Sequence, residues 1–409
     1  MFRLTRLRHA FRAFRHRNFQ LFWVGQSISV SGTWMQTAAQ SWLVYRLTDS
    51  PLHLGLLTVS KFGPALVIAP FAGLLADRFP RRRVLLCTQS ASLLVATAMA
   101  SLSLTGVIQV WHIMILALVQ GCIDATDMTV RQTFQMDLVG SEDLQSAVSL
   151  NSAAFNSARI VGPLFAGILI EWKGEGPCFA VNAVSYVAVL VSLFLIRTTS
   201  AGSPLKQRPA FEAIAAGMSY AWKAPAIRRV MLAVALTSAV GLSANTLTAA
   251  LARDILHTGP QGYTRLLLGA GVGAILGSLT AAAVSSSHRA SLVNFLMLCG
   301  LGASLLGLSQ ARSLPIAVLC MILVGSTASV QLSTSNAFLQ TESPQEMRGR
   351  VVSLYVWIFQ GLAPVGGLAA GWLASRSSIP SAILWAGILC LACGLAFGAT
   401  RPAIPGRRR

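Results

Sequence analysis

Apolar positions along this chain gather into long blocks, parted by short polar breaks. Twelve blocks stand out, at 19–45, 52–76, 83–106, 110–136, 144–171, 178–197, 228–252, 264–284, 291–310, 314–339, 348–374 and 380–400. A helix of about 20 apolar residues spans the hydrocarbon layer of a bilayer. The pattern therefore predicts an all-α membrane protein with twelve transmembrane helices. Several blocks carry polar residues at spacings of three and four, which share one face of a helix. The fifth run has Gln145, Ser149, Ser152, Asn156 and Arg159 in this register, and the fourth has Gln120, Asp124, Asp127 and Arg131. The first run has Gln26, Ser29, Thr33, Gln36 and Gln40, the seventh Ser238, Asn245 and Thr248, and the tenth Ser326, Ser329, Ser333 and Asn336. The third, sixth, ninth and twelfth runs carry no charge in their apolar spans.

The longest polar connection is 198–227, with a short surface helix expected from Phe211 to Trp222. It divides the chain into residues 1–197 and 228–409, each with six runs. The halves resemble each other at an offset of 204 residues: Phe134 meets Phe338, Val148-Ser149-Leu150 meets Val352-Ser353-Leu354, and Glu142, Gly162 and Gly167 meet Glu346, Gly366 and Gly371. A duplicated six-helix unit follows. Parallel repeats of this kind are a transporter plan, with the site between the halves near the midplane.

Composition agrees, with 54% hydrophobic residues against 11% charged. A soluble domain carries about a quarter. The net charge of +19 invites a nucleic-acid reading, but its distribution argues against one. With the N-terminus in the cytoplasm, 24 of the 32 Lys and Arg fall on cytoplasmic segments, 6 outside, and 2 (Lys61 and Arg159) within helices. That bias puts both termini inside and assigns the basic excess to the lipid bilayer. The basic front of the chain precedes a run too long for a cleaved signal, so the first helix is expected to stay. Phe2, Leu4, Leu7, Phe11 and Phe14 give that front an amphipathic face for the membrane surface. The seven cysteines show no pairing framework, and Cys390-x-x-Cys393 reads as small packed hydrophobes within an apolar helix.

One short connection is specific. "GLLADRFPRRRVLL" begins at Gly73, between the second and third runs. Its arginines anchor a loop on the inner side, which leaves Gly73 and Asp77 unaccounted for. Residues 73–82 resemble the major facilitator superfamily signature Gly-x-Leu-Ala-Asp-Arg-x-Gly-Arg-Arg/Lys, matching at Gly73, Leu75, Ala76, Asp77, Arg78, Arg81 and Arg82. Pro80 stands where the second glycine is usual, so the turn must be made differently. Residues 17–57 and 127–139 resemble the branch that holds macrolide-efflux and siderophore (enterobactin) exporters. "ARIVGPLFAG" (158–167) resembles the Gly-Pro motif of antiporters, and "QEMRGRVVSLY" (345–355) continues the likeness. That branch usually has Pro where this chain has Thr129, so less of a kink is expected there. The resemblance implies a rocker-switch exporter of the major facilitator fold, usually driven by the proton gradient. Asp77 and Arg81 would brace the cytoplasmic side in the outward-open state, with Asp127 and Arg131 as neighbours. It also implies that the first, fourth, seventh and tenth helices line the cavity, which is where the polar stripes fall.

Arg159 has no carboxylate within eleven positions along the chain. A charge at mid-membrane costs about 2.5–3.5 kcal/mol or more, so it should face protein or water. Two readings stand open: a cavity cation that binds an anionic or polar group or pairs with Asp124, and a structural ion pair. Asp124 is the proton-coupling candidate. Lys61 either enters the cavity or snorkels. Gln36, Gln40, Asn156, Asn245 and Asn336 complete the expected cavity. "GAGVGAILG" (269–277) imitates a dinucleotide loop but lies within an apolar run, so its glycines at intervals of four read as close helix packing. There is no Walker motif, metal-ligand pair or catalytic constellation. The expectation is a non-enzymatic, cofactor-free exporter of a small amphipathic molecule, a drug, macrolide or siderophore. It would act as a monomer in a bacterial cytoplasmic membrane, without nucleic acid. The alternatives are an importer of a small metabolite and a non-transporting sensor or partner subunit.

Overall fold

The computed structural model describes residues 11–197, 210–284 and 290–399. All regular structure is helical. A 3-10 turn, Arg12–Arg15, leads into α1 (Arg17–Thr48), α2 (Pro51–Arg78) and α3 (Arg81–Leu104). Helical hydrogen bonding then runs from Val110 to Lys173, but Gly140 breaks it with φ 70° and ψ 178°. Glycine has no Cβ to oppose this conformation. We treat 110–139 as α4 and 141–173 as α5. Thr129 leaves α4 unbroken, its hydroxyl donating to Ala125 O. α6 is Gly176–Leu195, and α7 (Ala210–Lys223) is the short helix expected in the connection. α8 (Pro225–Ile255), α9 (Gly259–Val284), α10 (Ala290–Gln310), α11 (Leu314–Glu342), α12 (Gln345–Arg376) and α13 (Ile379–Ala399) follow. Among the described residues ten helices are long and apolar enough to cross a membrane, with 110–173 counted once and α1 too polar to count.

The continuous helix expected over 228–252 is interrupted. α8 is regularly α-helical to Leu236, then passes through a π turn at Thr237–Gly241, a 3-10 turn at Ser243–Asn245, a short α-helical piece at Thr248–Ala250 and a second π turn at Leu251–Ile255. Its hydroxyls compete for backbone groups: Ser243 donates to Val240 O, Thr248 to Asn245 O and Ser238 across to Phe359 O on α12. Irregular backbone at this depth is tolerated where side chains re-satisfy the freed carbonyls, as Ser243 and Thr248 do for Val240 and Asn245.

The glycines of 269–277 pack as the sequence predicts. Gly269, Gly273 and Gly277 lie against the carbonyls of Val318, Ile322 and Ser326, so α9 and α11 touch backbone to backbone. The 204-residue offset is also visible in packing. Gly162 of α5 lies on Trp34 and Met35 of α1, and Gly366 of α12 lies on Ala239 of α8. Gly167 of α5 meets Thr264 of α9, and Gly371 of α12 meets Pro51 of α2.

The two ends of the molecule differ. We call the end with the turns near 79–80, 140, 224 and 343–344 the near end, and the opposite one the far end. At the far end a single apolar core joins both halves of the chain, with Trp42, Leu43, Ile170 and Phe179 beside Leu251, Tyr263, Leu266 and Leu301. At the near end the apolar packing is divided, and its two largest cores lie in different halves. Phe19, Phe22, Phe134, Leu138 and Leu150 form one, and Ile227, Met231, Leu339, Val351 and Leu354 form the other.

Candidate functional site

α2 and α4 hold a line of ionisable side chains at the depth where the two halves meet, with α1 adding a hydroxyl. The Lys61 ammonium on α2 donates to Thr37 Oγ1 on α1 and interacts electrostatically with Asp124 on α4. Asp124 also feels Arg131 and Asp127, and accepts from Gln120 Nε2 at 2.8 Å. Asp127 is fully buried and accepts from Thr88 Oγ1 and Gln89 Nε2 of α3, each at 2.8 Å, and from Arg131 Nε at 2.9 Å. The charges thus alternate in sign: Lys61, Asp124, Arg131, Asp127. Each buried ion has an opposite neighbour, the condition under which such groups are tolerated. Asp127 is the structural end of this line. Asp124 and Lys61 are only partly buried, so they are the reachable end.

Arg159 stands outside it. Among the described residues no carboxylate forms an ion pair with it, and Asp124 is engaged by Lys61 instead. The Arg159 guanidinium lies over the Trp34 ring at 5.7 Å, and Phe155 packs edge-on to the same ring at 5.6 Å. The polar stripe of α5 becomes more accessible from here toward the near end. Asn156 and Arg159 are partly buried, and Ser152, Ser149 and Gln145 are exposed. In the other direction Pro163, Ala166 and Gly167 are buried. Arg159 therefore marks the floor of a cleft open at the near end. Gly271 of α9 packs on Ile160 just beside it, so the second half closes in at this depth.

Other expected cavity residues are dispersed. Gln36 and Gln40 were expected in the cavity, but the face of α1 that carries them packs away from it. Gln36 Oε1 accepts from Asn182 Nδ2 of α6 at 2.7 Å, and buried Gln40 finds no partner for Nε2 among the described residues. The reason is that α6 carries its own inward stripe, Asn182, Ser185 and Tyr186, which a search for charge alone passes over. The cleft face of α1 is the row Val30, Trp34 and Thr37, all partly exposed. Asn245 lies in the irregular part of α8, partly buried. Asn336 lies further toward the near end and accepts from Gln340.

The Arg-rich connection is organised at the near end. Pro80, replacing glycine, sits at the N-cap of α3 with φ −55°, and its carbonyl accepts from Arg83 N and Val84 N. Arg81 is buried and donates to Asp137 Oδ1 of α4 at 2.5 Å. Arg82 donates to Leu193 O and Phe194 O, neutralising the C-terminal dipole of α6. The backbones of Gly73, Asp77 and Arg78 belong to α2, but their side chains lie outside the described residues. Asp137, Thr88, Gln89 and Tyr186 are the partners sequence reasoning missed. Asp137 could have been found as a carboxylate at the end of a helix beside an arginine loop.

The far end is sealed by contacts between the halves. The Tyr45 hydroxyl donates to Asp254, and Arg253 pairs with Asp49 at 2.6 Å. Trp42 stacks on Tyr263 at 5.7 Å, and Gln261 donates to Glu171. A surface hollow of about 450 Å³ beside Trp42, Arg46, Glu171 and Pro260 contains none of the expected site residues.

The transmembrane secretion effector family model matches residues 8–404. The multidrug efflux pump Tap of Mycolicibacterium fortuitum is 27% identical over 365 residues, covering 87% of this chain and 88% of that protein. The enterobactin exporter EntS of Escherichia coli is 24% identical over 388 residues, covering 92% and 91%. Among solved structures, a bacterial homologue of the human lysosomal transporter Spinster, inward-facing and occupied, superposes with a TM-score of 0.73 at 12% identity, covering 93% of this chain and 95% of that one. The chain belongs to the transmembrane secretion effector family of the major facilitator superfamily. It is a multi-pass membrane transporter and not an enzyme.

Proposed function

We propose that this member of the family is a proton-coupled exporter of a small amphipathic compound, with drugs, macrolides and siderophores as the classes its relatives' names bring forward. Counting α4 and α5 separately and adding α1 gives twelve spans. Six belong to a bundle at 1–197 and six to one at 228–409, joined by 198–227. Both termini and the near end face the bacterial cytoplasm, on the arginine distribution. The chain is then cytoplasm-open, with its outer side shut by the far-end contacts. Arg81 supports this, because it bonds Asp137 within the first bundle and does not brace the opposite one. No cofactor enters the cycle, and a monomer holds every group it needs.

The observation that carries the reading is that two partly exposed ionisable groups of opposite sign, Asp124 and Lys61, stand at one end of a charge line confined to the first half. Ionised Asp124 neutralises Lys61. A proton delivered to Asp124 removes that counter-charge and leaves Lys61 to Thr37 and water. The two protonation states therefore favour different cleft shapes. A difference of a few kcal/mol is enough to exchange their populations.

Comparing culture medium and cells of the native host with and without this chain by untargeted mass spectrometry tests direction. A compound retained in the deletion strain and lost from its medium supports export. One left behind in the medium makes the chain an importer. Transport of that compound in inverted vesicles then tests coupling: Asp124→Asn should end gradient-driven accumulation while passive exchange across the two faces continues. Undiminished accumulation would remove Asp124 from the mechanism.

A further inference from the structure

The interior charges do not balance. Among the described residues at cleft depth, the cations are Lys61, Arg131 and Arg159 and the anions are Asp124 and Asp127. Arg131 is paired with Asp127, and Lys61 has Asp124 acting on it through space, so the excess charge belongs to Arg159. The facing second half offers no carboxylate there: Asn245 and Gln360 are neutral, and Gly271 has no side chain. Trp34 gives Arg159 a ring face, a much weaker partner than a buried counter-ion. The guanidinium still has its fork of donors to offer, and it sits where the open cleft ends against the packed seal.

We infer that Arg159, Trp34 and Phe155 form the recognition subsite of this transporter, and that it takes an organic anion with a flat aromatic or apolar body. The carboxylate or comparable anionic group accepts from the Arg159 fork, which suits planar oxygen pairs. The body lies against the Trp34 and Phe155 rings. Lys61 of α2 reaches this face of α1 through Thr37, three residues from Trp34, and feels the charge of Asp124, so it adds no second anion site while Asp124 is ionised. The inference rests on the cleft being the transport pathway. It adds a charge preference that a cavity for amphipathic compounds does not itself require.

Three probes sharing one ring system test it: 2-naphthoate, 2-naphthamide and 2-naphthylmethylammonium. Binding to the full chain in nanodiscs is measured by calorimetry. The naphthoate should bind at least about tenfold tighter than the amide, with the ammonium weakest. Arg159→Gln should erase the preference, Arg159→Lys should restore part of it, and Trp34→Ala should weaken all three together. Circular dichroism and monodispersity of each variant separate misfolding from lost recognition. Equal binding of the three probes, binding of none, or a preference that survives Arg159→Gln overturns the subsite. Proteoliposome transport of 2-naphthoate under an imposed proton gradient is scored separately. Anion-selective binding without transport keeps the subsite and sinks the exporter reading. Transport without charge preference does the reverse.

Discussion

The first and second halves of the chain share a packing plan and differ in what they bury. At the 204-residue offset, Asp127 corresponds to Gln331 and Arg131 to Ser335. Asp127 and Arg131 form an ion pair that α3 completes through Thr88 and Gln89. In the second half Gln331 and Ser335 both donate to Asn294 of α10, at 3.0 and 2.8 Å, and the network is neutral. Asp124 corresponds to Ala328 and Arg159 to Ala363. The glycines that set helix spacing, 162 with 366 and 167 with 371, are kept in both. Duplication therefore preserved the geometry while charge stayed on one side. On the proposed mechanism, two bundles that rock against each other need matching shapes, but a proton and a substrate need only one set of ionisable groups.

Exchanging the two networks breaks this comparison most severely. Asp127→Ala leaves Arg131 buried without its closest counter-ion, a loss of about 3–5 kcal/mol in stability. The double change Asp127→Gln with Arg131→Ser copies the second half, and should recover most of that loss because every group is again neutral and able to bond. Thermal unfolding in detergent measures both. If the double variant is as unstable as the single one, the neutral network of the second half depends on its own surroundings and the halves are not interchangeable frameworks.

Much of this was legible in the residues. Block length gave the long helices, because apolar length is a local property, and the short α7 was read within the polar connection. The glycines at intervals of four in 269–277 gave the α9–α11 contact, because only a bare backbone allows such approach. The stripe on α5 led to Arg159. What was not legible depends on partners far away in sequence. Gln36 has the same spacing whether it faces a cleft or Asn182, and only the packing of α6 decides. Arg159 was the expected partner for Asp124, yet Lys61 of α2 is the cation whose charge acts on it, and which helices adjoin α4 is not written in its own spacing. The interruption of α8 was hidden because hydroxyl-rich sequence is compatible with a regular helix until α12 presses on Ala239.

The far-end seal carries a smaller effect and sharpens the comparison across ends. Asp254 joins Tyr45 across the halves, and Arg253 joins Asp49. Tyr45→Phe removes one hydrogen bond to a charged group, worth about 1.5–3 kcal/mol where buried and less at this partly open edge. The expected result is a several-fold shift toward the outward-open population. Labelling of a cysteine placed at Ser41 from the outer side should rise accordingly, while a cysteine placed at Ser149 should become less accessible from the inner side. A rise at both positions would mean general loosening rather than a shift between two states.

The smallest effect lies at the near end of the first half, which has a strap with no described counterpart in the second. Arg12 and His16 both bond Asp143, at 3.1 and 3.0 Å, and Ala13 N donates to Ser146 Oγ. The hydrogen bond from His16, with help from the Arg12 charge, holds the Asp143 carboxyl below its ordinary value against the opposing pull of burial. A depressed carboxyl contributes fully above the unfolded value of about 3.9 and loses that contribution as pH falls through the lowered one. The strap should therefore be indifferent to pH from 8 to about 5 as far as Asp143 is concerned, and should loosen only in stronger acid. Phe14 packs edge-on to Trp23 at 5.1 Å, so emission from a variant keeping Trp23 as its sole tryptophan reports the strap directly. Acid should change that emission in the parent and leave Asp143→Asn, already loosened, nearly flat. A transition near neutral pH that persists in Asp143→Asn would assign the strap's response to another group. The strap would then hold by its apolar contacts, Ala13 and Phe14, with the charge pair contributing little.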